Sequence, residues 1–205
     1  MSLTRKDWAR RVLSLVDLTS LNDADDDATT IALCEKALEA PVKPAGVCVG
    51  PRQALVPVVV LRESGIRAVT VANFPEGKPN ASLAAFEVLR AVNDGVEEVD
   101  VVFPYVQWLK GKHDECVEFV EACKSACGVL ARLKVILETG AFDGVEEIGA
   151  AARAAIKGGA DFIKSSTGKI AVGATPSLTG AFSAWGLLAG LLLLAAAWFG
   201  SSVRA

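Results

Sequence analysis

The chain is 205 residues long, which is enough for one sizeable domain with its own hydrophobic core. Its formal net charge of −3 offers no basic surface for nucleic acid, so we exclude a nucleic-acid partner. Residues 1–11 are polar and charged and lack the apolar segment of a secretory signal peptide, which predicts a cytoplasmic protein. The five cysteines are an odd number in such a chain, and we therefore expect reduced thiols.

The first predicted elements are a helix over residues 3–15 and a strand over residues 16–19. Trp8, Val12 and Leu15 have the spacing of one helical face, and Asp17 and Thr19 would share one face of the strand. Residues 22–27 are rich in aspartate and partly match a calcium loop, but the glycine and the final glutamate of such a loop are missing. We therefore predict no metal site and expect these acids to cap the next helix.

Further strands and helices alternate along the chain. Strands are predicted at residues 45–49, 66–73, 97–103, 133–139 and 160–163, and helices at residues 51–63, 79–94, 113–127 and 143–158. The helix at 79–94 is expected to bury a face formed by Leu83, Phe86, Leu89 and Val92. The regular alternation predicts a parallel α/β architecture.

The stretch at residues 160–169 carries the chemistry of the chain. Its apolar strand ends at Lys164, and a lysine held there is poorly solvated, so its neutral amine becomes accessible near pH 7. A neutral amine is what a Schiff-base nucleophile requires. Thr167, Gly168 and Lys169 follow in a turn that could hold a phosphate through backbone N–H groups and a cation. Spacing alone favours the alternative interpretation, a strand that ends in a solvated lysine.

The motif Phe-Ile-Lys-Ser-Ser-Thr-Gly-Lys resembles the active-site signature of the deoxyribose-phosphate aldolases, which are class I, Schiff-base aldolases on a TIM barrel. Three other stretches agree with that family in order and spacing, at residues 17–22, 98–105 and 133–140. The similarity extends from about Val12 to Pro176. It implies an α/β fold of the TIM (β/α)8-barrel type, truncated to about six strand–helix units over residues 1–176.

The resemblance implies reversible cleavage of 2-deoxy-D-ribose 5-phosphate to D-glyceraldehyde 3-phosphate and acetaldehyde, without a metal or cofactor. Lys164 would form the Schiff base, and Asp100 would donate and accept protons. Asp17 and Lys134 would either tune the charge around Lys164 or form a structural ion pair, and Cys48 would lie nearby or serve as a small buried hydrophobe. The partner is a small sugar phosphate, with a homodimer left open. Another phosphate-binding barrel lyase, in which Lys164 is structural, is an alternative.

The family pattern breaks after Lys169. The family's second lysine, in a Gly-Phe-Lys-Pro-Ala-Gly-Gly stretch, and its Gly-Ser-Ser phosphate helix are absent in register. We expect residues 177–205 to form a hydrophobic C-terminal helix, and residues 181–199 have the length of a membrane-spanning segment. The alternatives are a frame-shifted tail and an impaired, membrane-associated remnant that binds a partner or sugar phosphate without turnover. Without these parts we expect little aldolase activity from this chain.

Overall fold

The computed structural model describes residues 4–173. Their strands are β1 (Asp17–Ser20), β2 (Gly46–Val49), β3 (Arg67–Ala72), β4 (Glu98–Val102), β5 (Arg132–Ile136) and β6 (Phe162–Lys164). Their α-helices are α1 (Arg5–Leu13), α2 (Asp27–Glu39), α3 (Leu55–Val60), α4 (Ala81–Asn93), α5 (Tyr105–Leu109), α6 (His113–Cys127) and α7 (Val145–Lys157). A short 3-10 helix, Thr139–Ala141, follows β5.

The strands form one parallel sheet in the order β1-β2-β3-β4-β5-β6, so each strand pairs with the next along the chain. This sheet is strongly curled. In a flat sheet β1 and β5 would lie about 19 Å apart, given about 4.8 Å between neighbouring strands. Instead, the Lys134 ammonium of β5 lies 2.6 Å from the Asp17 carboxylate of β1. The described residues therefore have the fold of a truncated TIM barrel, as the sequence predicted.

Alternation along each strand separates two environments. The outward side chains are apolar and pack against the helices; Val99, Val101 and Leu133 belong to the largest core cluster. Leu18 of β1 packs outward as predicted, against the cluster that contains Val47. The inward side chains include the charged residues of the site, and the fold therefore gathers those charges inside the curl.

Capping residues explain where two of the helices begin. Asp26 accepts a hydrogen bond from the backbone N–H of Thr29 at the start of α2, which confirms that the acidic stretch caps this helix. Asn80 plays the same part for α4 by accepting from Leu83. The helix predicted at residues 51–63 is shorter, because residues 51–54 form turns and α3 begins at Leu55. The helix α5 was not predicted.

The predicted buried face of α4 is largely wrong. Of its expected members only Val92 is buried, whereas Leu83, Phe86 and Leu89 are 49%, 63% and 46% exposed. The residues that α4 buries are Ala84, Val88, Ala91 and Val92. Two apolar stripes run side by side on this helix, and close packing selects the one with the smaller side chains. The helix α1 likewise buries no residue, and Trp8 and Val12 are more than half exposed.

The predicted C-terminal helix at residues 177–205 lies outside the described residues, as does the membrane-spanning segment predicted at residues 181–199. Within residues 4–173, no helix has the length and apolarity that a membrane crossing requires.

Candidate active site

Strand register determines which side chains meet inside the curl. Thr19 is paired with Cys48, Asp100 with Lys134, and Ile136 with Lys164. Because neighbouring strands are in parallel register, these inward positions lie in adjacent layers of the interior. Lys164, Asp100, Lys134, Asp17 and Cys48, which the sequence singled out, are all buried there.

The closest contact of the site joins Lys164 to Asp100. The Lys164 ammonium donates a hydrogen bond to Oδ2 of Asp100, and the two groups form an ion pair. Asp100 is fully buried and Lys164 is only 9% exposed. Cys48 Sγ lies 3.8 Å from the same Oδ2 atom, so the thiol borders this ion pair. The sequence placed Asp100 near Lys164, but it did not predict direct contact.

Lys134 is the second cation of the interior. Its Nζ atom lies 2.6 Å from Asp17 Oδ2, 2.5 Å from Glu98 Oε2 and 3.5 Å from Asp100 Oδ1. Lys134 is 1% exposed, so it contacts three buried carboxylates with almost no solvent. The lysine thus bridges Asp100, the partner of Lys164, to two further acids.

Gly46 leaves the room that the Lys134–Asp17 contact needs. A Cβ atom at Gly46 would lie 2.9 Å from Asp17 Oδ1 and 2.7 Å from a methyl group of Val69. Any larger residue there would therefore displace the Asp17 carboxylate. That Oδ1 atom is buried, and it has no hydrogen-bond partner among the described residues.

The charge state of Lys164 differs from the sequence-based prediction. Burial alone would lower the pKa of its amine, as expected for a lysine at the end of an apolar strand. Asp100 acts against burial through its charge and its hydrogen bond, Cys48 adds to this effect, and the pKa of Lys164 is raised above its usual value. Lys134 opposes this rise by its like charge. The sequence could not show that the carboxylate lies in direct contact with the lysine.

The groups around Lys164 also have pKa values that differ from their usual ones. Burial works to raise the pKa of Asp100, but Lys164 and Lys134 hold it below the usual value, so Asp100 is ionised at neutral pH. Burial raises the pKa of Asp17 despite the opposing charge of Lys134. Burial and the nearby Asp100 also raise the pKa of the Cys48 thiol, which makes Cys48 a neutral, unreactive group at neutral pH.

The turn after Lys164 is organised by a residue that the sequence analysis did not select, Glu138. The Glu138 carboxylate accepts hydrogen bonds from the backbone N–H and the hydroxyl of Thr167. Glu138 has a φ of 61° and is fully buried. The Thr167 N–H therefore donates to Glu138, although the sequence analysis had assigned this N–H to a phosphate.

The other two residues of the predicted phosphate site are exposed. Gly168 has a φ of 75°, which favours glycine, and the N–H of Lys169 donates to the Thr167 hydroxyl. Lys169 Nζ donates to the backbone carbonyl of Leu21, 2.8 Å away. This bond joins the turn after β6 to the loop after β1, and so it links the two ends of the curled sheet.

Glu98 is the second functional candidate that the sequence analysis missed. It lies two residues before Asp100 in the same motif, so its inward direction followed from strand alternation. The sequence analysis assigned no role to Glu98. Among residues 4–173, no group of three or more histidine, cysteine or acidic side chains has a geometry that could hold a metal ion.

Parallel strands that curl around a buried lysine and carboxylate have the architecture of a TIM barrel with its polar groups inside. A sequence profile of the DeoC/LacD family aldolases matches residues 11–185. The chain belongs to the DeoC/LacD aldolase family.

Solved structures give the same result. A Coccidioides immitis protein assigned as a deoxyribose-phosphate aldolase has a TM-score of 0.82 at 28% identity, covering 89% of this chain and 71% of its own. An aldolase named QR15 has a TM-score of 0.78 at 27% identity, with 86% and 77% of the two chains covered. The deoxyribose-phosphate aldolase of Aeropyrum pernix, described as a tetramer, shares the fold with a TM-score of 0.77 at 21% identity over 89% and 75%.

Replacing Lys134 with methionine is expected to lower the free energy of unfolding by about 3–5 kcal/mol, because Asp17, Glu98 and Asp100 would lose a shared buried cation. The measurement is urea unfolding at neutral pH. Lys124→Met is the matched control: its ion pair with Asp161 is also 2.6 Å long but about one-third exposed. The control should cost about 1 kcal/mol or less. Equal losses in the two variants would contradict the importance of burial.

Replacing Glu138 with glutamine is expected to stabilise the protein relative to wild type as the pH rises. Burial raises the pKa of Glu138 in the folded state, although the bonds from Thr167 oppose the rise. The stability that Glu138 contributes is therefore present below its unfolded pKa and is lost as the pH rises through its folded pKa. Unfolding of both proteins from pH 4 to 8 measures this difference. A relative stability of the variant that declines with pH would show that Thr167 outweighs burial.

Proposed function

We propose that this chain cleaves 2-deoxy-D-ribose 5-phosphate reversibly to D-glyceraldehyde 3-phosphate and acetaldehyde, with Lys164 as the Schiff-base nucleophile and at the low rate expected without the family's second lysine in register. The observation that carries the proposal is the buried contact between the Lys164 amine and Asp100 at the end of β6. Family membership and the likeness to structures described as deoxyribose-phosphate aldolases support the same reaction.

In the proposed reaction, the neutral Lys164 amine attacks C1 of the open-chain sugar. The resulting carbinolamine loses water and becomes a protonated imine. A base removes the proton of the C3 hydroxyl and the C2–C3 bond breaks. Its electron pair forms the C1=C2 bond of an enamine, while the π pair of the C1=N bond moves to the iminium nitrogen. Glyceraldehyde 3-phosphate leaves, the enamine is protonated at C2, and hydrolysis of the imine releases acetaldehyde and the free lysine. The iminium acts as the electron sink.

Asp100 is suited to the proton transfers of this sequence. Its low pKa keeps it ionised, so it can accept the proton that the Lys164 nitrogen loses once the amine has attacked C1. The contact between the two groups provides a direct route for that proton. A proton accepted by Asp100 can then be returned to the carbinolamine hydroxyl as it departs as water.

Binding of the phosphate is proposed for the exposed residues of the turn after β6, Gly168 and Lys169. Thr167 supports that turn through its hydroxyl rather than by its own N–H, which donates to Glu138. In this proposal the sugar extends from Lys164 in the interior toward the turn.

The experiment is borohydride reduction in the presence of acetaldehyde, followed by peptide mass spectrometry. An N-ethyl group on Lys164 is the expected product. The second measurement is the cleavage of 2-deoxyribose 5-phosphate by the purified chain. An adduct confined to Lys134 or Lys169, with Lys164 unmodified, would overturn the assignment of the nucleophile. An adduct on Lys164 without any turnover would favour the alternative of a sugar-phosphate-binding remnant.

A further inference from the structure

Glu98 occupies a position from which it can influence the nucleophile without touching it. It is 3% exposed and lies two residues from Asp100 on β4, a separation of about 7 Å along the strand. Its Oε2 atom is 2.5 Å from Lys134 Nζ. The reaction proposed above assigns no step to Glu98.

The opposite side of Glu98 faces two arginines. Arg67 Nε of β3 lies 3.3 Å from Glu98 Oε1, and Arg132 Nη1 of β5 lies 3.9 Å from the same atom. Both arginine side chains are partly exposed. All three residues line a cavity of about 410 Å³ at the beginning of the strands. One end of the charge network is therefore open to solvent, whereas Lys164 and Asp100 are buried.

The charges alternate in sign along this network. Lys164 contacts Asp100, Asp100 contacts Lys134, Lys134 contacts Glu98, and Glu98 contacts the two arginines. Two further groups border the network from neighbouring strands, namely Asp17 of β1 beside Lys134 and Cys48 of β2 beside Asp100. The Asp100 carboxylate is therefore shared between Lys134 and Lys164, at 3.5 Å from the former and in closer contact with the latter.

We propose that Glu98 is a positioning residue for Lys134, and that it determines how Lys134 and Lys164 share the Asp100 carboxylate. Glu98 draws the Lys134 ammonium toward the beginning of the strands, away from Asp100. The Asp100 carboxylate then interacts mainly with Lys164. The two arginines moderate this pull because they compensate part of the Glu98 charge. This inference rests on the proposed Schiff-base function. Its consequence for that function is that Glu98 controls the fraction of neutral Lys164 amine.

The opposite effects of two substitutions test this inference. In Glu98→Gln, Lys134 should move toward Asp100, the Lys164 ammonium should lose stabilisation, and the fraction of neutral amine should rise about threefold or more, equivalent to about half a pH unit. In Arg67→Gln, Glu98 should hold Lys134 more strongly, and the neutral fraction should fall. Arg67 is partly exposed, so this second variant keeps the inference testable if Glu98→Gln does not fold.

The readout is the rate of acetylation of Lys164 by trace acetic anhydride between pH 7 and 9, relative to the exposed Lys36. Below the pKa, this rate is proportional to the fraction of neutral amine. It requires no imine, so it reports on Glu98 even if the proposed aldolase reaction fails. A merely structural role would loosen the site and raise the rate in both variants, whereas the proposal requires opposite changes.

Three controls complete the experiment. Glu97→Gln removes the adjacent, exposed carboxylate and should leave the rate unchanged. Glu98→Asp retains the charge and should return the rate toward wild type. Glu98→Gln should have a smaller effect in a Lys134→Met background than in wild type, because Lys134 transmits the change. Changes of the same sign in Glu98→Gln and Arg67→Gln, an unchanged rate in either, or equal effects in both backgrounds would overturn the inference.

Discussion

Lys164→Arg is expected to abolish trapping of acetaldehyde by borohydride and to lower the cleavage of deoxyribose 5-phosphate by a thousandfold or more, on the order seen when a catalytic nucleophile is removed. Arginine retains the positive charge that faces Asp100, so residue 164 can still form a buried ion pair with this carboxylate. Its guanidinium stays protonated and cannot form an imine. The substitution therefore separates the chemical role of the lysine from its structural role.

Lys157→Arg is the matched control for this prediction, because Lys157 lies exposed in the last turn of α7 and outside the interior. The control should retain both trapping and turnover. Urea unfolding of the two variants checks that each is folded. Undiminished turnover in Lys164→Arg would show that another residue is the nucleophile, and peptide mapping of the trapped adduct would identify it.

The parallel α/β architecture was predictable because its signals are local and repeated, whereas the barrel itself was implied only by the family resemblance. Apolar strands such as β4 alternate with helices at regular intervals, and Asn80 marks a helix start that propensity alone identifies. The helix α4 shows the limit of such signals. Its sequence contains two adjacent apolar stripes, and only the neighbouring elements decide that Ala84 and Val88 face inward while Phe86 faces solvent.

The sequence predicted which residues lie together in the interior, but it did not predict the charge state of Lys164. The family resemblance implied that Lys164, Asp100, Lys134 and Asp17 share one interior, and all four are buried there in the structure. The direction of the Lys164 pKa depended on one contact across the sheet, with Asp100, which no local pattern encodes. Glu138 was missed for a related reason: its partner, Thr167, is 29 residues away and on another loop.

A raised pKa of Lys164 predicts that imine formation is slow at neutral pH and accelerates as the pH rises. A lysine whose folded pKa exceeds the ordinary value is almost entirely protonated at pH 7, and each pH unit increases its neutral fraction about tenfold. In this resting state the Asp100 carboxylate limits the supply of free amine. Substrate that displaces the Asp100 contact from Lys164 would release the amine where it is needed.

Asp100→Asn is therefore expected to have opposite effects on two steps. Without the carboxylate, the main group that stabilises the Lys164 ammonium is lost, so acetaldehyde should be trapped on Lys164 faster at pH 7 than in wild type. Asparagine cannot accept a proton, however, so cleavage of deoxyribose 5-phosphate should fall by about a hundredfold to ten-thousandfold, the usual contribution of general acid–base catalysis. Single-turnover trapping and steady-state cleavage separate the two.

The same substitution should also destabilise the fold, because Lys134 and Lys164 would face each other with less negative charge between them. We expect a loss of about 3–5 kcal/mol in the free energy of unfolding, as for other broken buried ion pairs.

Asp143→Asn, at an exposed position before α7, is the control and should change neither the trapping rate, nor the cleavage rate, nor the free energy of unfolding. If Asp100→Asn trapped acetaldehyde more slowly than wild type while remaining folded, Asp100 would be promoting the neutral amine rather than suppressing it. Its principal role would then be that of a base that deprotonates Lys164, and the raised pKa of Lys164 would not govern the reaction.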